Sequence, residues 1–118
     1  MIEKIRQTIR SFQYAARGLW YVIRRERTFQ IHIIATLVVV ALSVVYPLKT
    51  WEIIILIIMI VLVLVLEIAN TAVEKIIDAL KPRLHFYVQV AKDLMAAAVL
   101  VAAIGAIIIA LLIFWPYF

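Results

Sequence analysis

The chain has 118 residues, 68% hydrophobic and 16% charged, with a formal net charge of +5. Ordinary soluble domains are roughly 45–50% apolar, so this chain cannot clothe itself in polar surface and reads as a single domain with the bilayer as its solvent. The lack of cysteine excludes disulfides, thiolate metal sites and cysteine nucleophiles.

The first 27 residues read as an amphipathic helix. At helical periodicity Arg6, Arg10, Arg17 and Arg24 share one stripe, while Ile5, Ile9, Phe12, Ala16, Leu19 and Ile23 share another face. A basic stripe beside an apolar face suits a helix lying in the headgroup plane against anionic lipid. An amphipathic helix packed on its own protein fits the same pattern. Residues 1–32 also hold the whole excess of positive charge, and beside three apolar runs lipid is a better partner for it than nucleic acid. The segment does not read as a secretory signal, because no early apolar core or small-residue cleavage site is present.

Three spans follow, making the expected fold an all-α integral membrane protein with a surface helix and three transmembrane helices. The first is 31–46, ended by Pro47. The second is 51–71, starting at Trp51. The third is 94–115, ending in the aromatic cluster FWPYF. The apolar stretch Ile53–Leu66 covers only about 21 Å at helical rise, short of the roughly 30 Å hydrocarbon layer. The second span must therefore draw in Glu67, and Asn70 beyond it, before it reaches water. Basic residues gather in the N-terminal segment and in 81–92 (Lys81, Arg83, Lys92), which places both in the cytoplasm and the C-terminus outside.

The sequence LEIANTAVEKIIDAL, 66–80, carries the polar groups of the second helix. With Glu67 as zero, Asn70 falls at about 300°, Glu74 at about 340°, Asp78 at about 20° and Thr71 at about 40° around the helix axis. Ionisable residues inside a span are costly and face a partner, a cavity or a site. Oxygen donors at i, i+3 and i+7 suit a hard cation such as Mg²⁺, which binds one or two carboxylates and completes its shell with water and phosphate. Zinc would call for His or Cys, and His32 and His85 have no ligand spacing between them; His32 reads as a hydrogen-bonding residue at the membrane boundary. Glu74, Lys75 and Asp78 also fit a solvated continuation of the helix. Glu26 lies near the apolar face of the first helix and fits a local pair with Arg24, Arg25 or Arg27. Lys92, beside Asp93, fits either a phosphate-holding ammonium or a snorkelling lysine. A carboxylate at bilayer depth, carboxylates nearer water and a lysine together suit phosphoryl transfer, which depends on positioning and charge neutralisation. Two glycines cannot build a Walker or kinase glycine loop.

EIANTAVEKIID at 67–78, AKD at 91–93 with AAAVLVAA after it, and the stretches RSFQYAARGL and RERTFQIH resemble the small bacterial diacylglycerol kinase and undecaprenol kinase family over nearly the whole chain. The resemblance implies a lipid kinase using ATP and Mg²⁺. It implies Glu67 as the base that activates the lipid hydroxyl and Asn70 as its support. Glu26 and Glu74 would be the ligands of nucleotide-bound Mg²⁺, and Lys92 and Asp93 nucleotide contacts, with Tyr14 and His85 nearby. It further implies a homotrimer with shared sites in the bacterial cytoplasmic membrane. ERTFQIH looks more like the undecaprenol branch, which favours undecaprenol over diacylglycerol. Ala69 and Gln7 depart from the family pattern. A small proton-coupled transporter using Glu67 and a non-catalytic lipid-binding adaptor are the readings from other classes.

Overall fold

The computed structural model describes residues 1–80 and 86–118, and the described residues are helical with no strand. Helix α1 is Ile2–Arg25, α2 Arg27–Val45, α3 Thr50–Ala79 and α4 Phe86–Phe114, followed by a 3₁₀ turn at Trp115–Tyr117. Three of them, α2, α3 and the run Phe86–Tyr117, are long and apolar enough to cross a membrane. Expected spans 31–46, 51–71 and 94–115 lie almost wholly within these helices, but α2, α3 and α4 each extend beyond them. At helical rise the 30 residues of α3 run about 45 Å. Its polar end therefore projects through the interface rather than stopping at it.

The expected surface helix, 1–27, is divided from α2 by one residue. Glu26 adopts an extended backbone, φ −103° and ψ 111°. Both helical ladders survive the bend: Glu26 N–H donates to Val22 O at 3.0 Å, and Gln30 N–H donates to Glu26 O at 3.1 Å. The Gln30 side chain reinforces the joint, its Nε2 donating to Ile23 O at 2.9 Å and Arg24 O at 3.3 Å. Val22 and Phe29 are buried on either side of it, Phe29 to 1% exposure. These anchors fix where the Glu26 side chain points.

The principal helix packing is α3 against α4, with α2 against α3. Gly105 of α4 faces Met59 of α3, where a Cβ would make an ordinary contact with Met59 Cε at 3.9 Å. Small residues at such contacts are the usual device in lipid, where close backbone approach rather than water exclusion drives helix association. Many large apolar side chains of α2, α3 and α4 are exposed, Val44, Ile58 and Leu112 among them, as a lipid-facing surface requires.

The opposite end from the polar one is closed by the expected C-terminal aromatic cluster, joined by Tyr46 and Glu52, which the sequence did not link to it. Tyr46, just before Pro47, packs on Phe114, Tyr117 and Phe118 with ring centroids 5.3–6.4 Å apart. Tyr117 Oη donates to Glu52 Oε1 at 2.6 Å, and Lys49 N–H donates to the same oxygen at 2.9 Å. Glu52 is thereby buried with its charge compensated by hydrogen bonds, the condition for tolerating a buried carboxylate. The pair ties the start of α3 to the end of α4.

Candidate active site

The stripe on α3 faces inward as its periodicity requires. Glu67 and Thr71 are buried, at 3% and 5% exposure, and Asn70 and Glu74 are half-buried. Asn70 Nδ2 donates to Glu74 Oε1 at 3.2 Å. Asn70 Oδ1 is buried and has no hydrogen-bond partner among the described residues. Burying a carbonyl oxygen unpaired is costly, so this atom marks a place built for a donor or a cation.

Glu26, Glu67, Asn70 and Glu74 line one cleft of about 350 Å³, together with Thr28 and His32. Thr71 lies on its α3 wall, and Ala96, Val99 and Ala103 form its α4 wall. Three helices and the α1–α2 joint thus bring together four of the residues singled out from the sequence. Glu26 does not pair with its neighbouring arginines. Its Oε1 stands 3.4 Å from Lys75 Nζ on α3, and that ammonium also sits 5.8 Å from the Tyr21 ring centroid. A local pairing is geometrically disfavoured because the extended Glu26 backbone turns the side chain toward α3.

The other expected residues stand elsewhere. Lys92 Nζ is 3.6 Å from Asp78 Oδ1, linking α4 to the last turns of α3. Asp93 accepts from Gln89 Nε2 at 3.2 Å on its own helix. Neither is among the residues lining the cleft. Tyr14 is exposed on α1, with Arg17 5.7 Å from its ring centroid. His85 lies outside the described residues.

His32, Lys75 and Thr71 are site neighbours to which sequence reasoning gave no role there. His32 Nδ1 stands 3.1 Å from Glu67 Oε1, at the inner corner of the cleft. A second, apolar groove of about 300 Å³ begins at the same corner. It shares His32 and Ala103 with the polar cleft and continues past Thr36, Val39, Met59 and Ala106. The signal for His32 was its place six residues beyond Glu26, but only the packing of α2 on α3 sets it opposite Glu67.

Among the described residues no group of three His, Cys, Asp or Glu side chains is arranged to hold a metal alone. The donors nevertheless fit Mg²⁺ shared with a nucleotide. Two carboxylates, Glu26 and Glu74, face one cleft beside the unpaired Asn70 Oδ1, and Mg²⁺ draws the rest of its shell from phosphate and water.

Three membrane-length helices with a polar, acid-lined cleft beside an apolar groove define an integral membrane protein that carries a polar site within its bundle. The prokaryotic diacylglycerol kinase family matches residues 13–114. The chain is 36% identical over 113 residues to the undecaprenol kinase of Bacillus subtilis (strain 168), covering 96% of this chain and 92% of that protein. It is 34% identical over 100 residues to a diacylglycerol kinase of Synechocystis, covering 84% of this chain and 57% of that one. It is 30% identical over 110 residues to the diacylglycerol kinase of Escherichia coli (strain K12), covering 93% and 90%. The chain belongs to the prokaryotic diacylglycerol kinase family and is a membrane lipid kinase, an ATP-dependent phosphotransferase.

Proposed function

We propose that this chain transfers the γ-phosphoryl group of ATP to the hydroxyl of undecaprenol, with Glu67 as general base. The observation that carries this reading is the position of Glu67. It is buried in the polar cleft, 3.1 Å from His32, which the cleft shares with the apolar groove, so a lipid chain lying in the groove would present its terminal hydroxyl beside it. Glu67 takes the hydroxyl proton as the lipid oxygen bonds to the γ-phosphorus and the bond to the β-phosphate oxygen breaks, with ADP leaving on that electron pair. Asn70 supports the site by holding Glu74 and by offering its free Oδ1. Glu26 and Glu74 would hold Mg²⁺, which when bound neutralises charge on the phosphate oxygens. Lys92, Asp93, Tyr14 and His85 are proposed as nucleotide contacts.

The chain works in the bacterial cytoplasmic membrane, with its N-terminus and cleft cytoplasmic and its C-terminus outside. The basic residues of α1 supply the support for that orientation and for contact with anionic headgroups. A homotrimer with sites shared between subunits completes the proposal. Its support is the peripheral place of Lys92: among the described residues no lysine or arginine lines one chain's cleft to meet the phosphate chain.

Similarity to the Bacillus undecaprenol kinase over nearly both full lengths favours undecaprenol. Diacylglycerol is the second reading, supported by the two relatives named diacylglycerol kinase. Phosphorylation of both lipids by labelled ATP in matched micelles tests the choice. Undecaprenol is expected to be the better substrate by kcat/KM, and a clear preference for diacylglycerol reverses the assignment.

A further inference from the structure

His32 has no part in the scheme above, yet it stands in direct reach of the Glu67 carboxylate. Its Nδ1 is 3.1 Å from Glu67 Oε1. That nitrogen is buried, and its approach has hydrogen-bond distance without hydrogen-bond alignment. Contacts of catalytic groups are commonly loose before substrate arrives and tighten in the reacting complex.

The backbone beneath His32 is unusually well held. Phe29 is buried one turn before it, and Gln30 is tied across the joint to the last turn of α1. Thr36 Oγ1 donates to His32 O at 2.8 Å one turn after it. His32 also belongs to both the polar cleft and the apolar groove. A side chain fixed in this way at the junction of two compartments can orient whatever it touches. A misaligned base costs rate even when its chemistry is intact, because a displacement of about 1 Å can cost roughly 100-fold.

We propose that His32 is a positioning residue for Glu67: its Nδ1 holds one carboxylate oxygen and leaves the other aimed at the lipid hydroxyl where the groove opens into the cleft. The inference rests on Glu67 being the base. His32 accepts no proton in the transfer; the lipid proton goes to Glu67. Its contribution is the direction of the carboxylate, which appears in turnover and not in the affinity for ATP.

The test compares H32L, H32N and E67Q, each purified in detergent, by melting temperature and by kcat and KM for ATP and for undecaprenol. An asparagine amide nitrogen lies the same number of bonds from Cα as the imidazole Nδ1, so H32N keeps a donor in place. H32L is expected to lower kcat about 10- to 100-fold with its ATP KM and melting temperature unchanged, and H32N to recover most of the loss. If H32L is not recovered folded, H32F takes its place with the same expectation, a ring of similar bulk without a donor. An inactive E67Q beside a fully active H32L overturns the role of His32 while leaving the base assignment standing. Equal losses in H32L and H32N, or a loss confined to KM, also overturn it. An active E67Q removes the base and this inference together.

Discussion

At the scale of single residues, position on the α3 face gives the acids different surroundings. Glu67 is buried in the cleft beside His32, whereas Glu74, about two helical turns further along α3, is half-buried and accepts from Asn70. Glu26 reaches the same cleft from the joint and is held by Lys75. If these two carboxylates hold Mg²⁺, replacing either by glutamine removes a charged oxygen ligand while keeping shape. E26Q and E74Q are expected to raise the Mg²⁺ concentration for half-maximal activity by about 10-fold or more, the loss of roughly 1.4 kcal/mol of ligand binding. A magnesium titration of initial rates checks this, and an unchanged midpoint removes both from the ligand set. The α3 stripe was legible in the sequence because a single helix fixes its own angles: Glu67, Asn70, Thr71 and Glu74 share a face whatever else the chain does. Glu26 was different. Its spacing allowed a local pair with arginine, and resemblance alone raised it to a site residue. His32 was read as a boundary residue because its partner is set by the packing of α2 on α3, which no single-helix pattern encodes.

At the scale of elements, the two ends of the bundle do different work. The joint at Glu26 and the anchors Val22 and Phe29 position the site. The Tyr46, Phe114, Tyr117 and Phe118 cluster with Glu52 closes the far end. F29A is expected to cost about 3 kcal/mol of stability, the lower range for truncating a buried Phe, and to weaken activity because the joint carries Glu26. Y117F is expected to lower the melting temperature by removing a bond to buried Glu52, with kcat and both KM values unchanged. Melting curves and steady-state rates on the same preparations separate the two effects. The groove offers a third element-scale test. A106W fills space between α2, α3 and α4 and is expected to raise the KM for the lipid severalfold while leaving that for ATP alone. Equal effects on both would show that the groove does not receive the lipid chain. Helix existence was legible from composition and from proline punctuation at Pro47. The one-residue joint was not, because neither glycine nor proline marks it; burial of Val22 and Phe29 sets it. The Glu52–Tyr117 bond joins residues 65 apart and left no local trace.

At the scale of the whole molecule, a slab 51 × 47 × 22 Å, about two helix diameters thick, exposes broad apolar faces on its spans. That surface is what a bilayer asks of three short-looped helices, and it also leaves faces for other subunits. Membership of a lipid kinase family makes the chain a phosphotransferase, which stands against the transporter reading. In the proposed scheme this small bundle moves phosphate from ATP to a lipid hydroxyl through one buried carboxylate. The most direct measurement follows label from γ-labelled ATP into undecaprenol in micelles for the wild-type chain and for E67Q at equal melting temperature. The wild type is expected to label the lipid in a Mg²⁺-dependent manner and E67Q to fall by at least about 100-fold, the lower range for loss of a general base. Label transfer by E67Q at a near wild-type rate would contradict it.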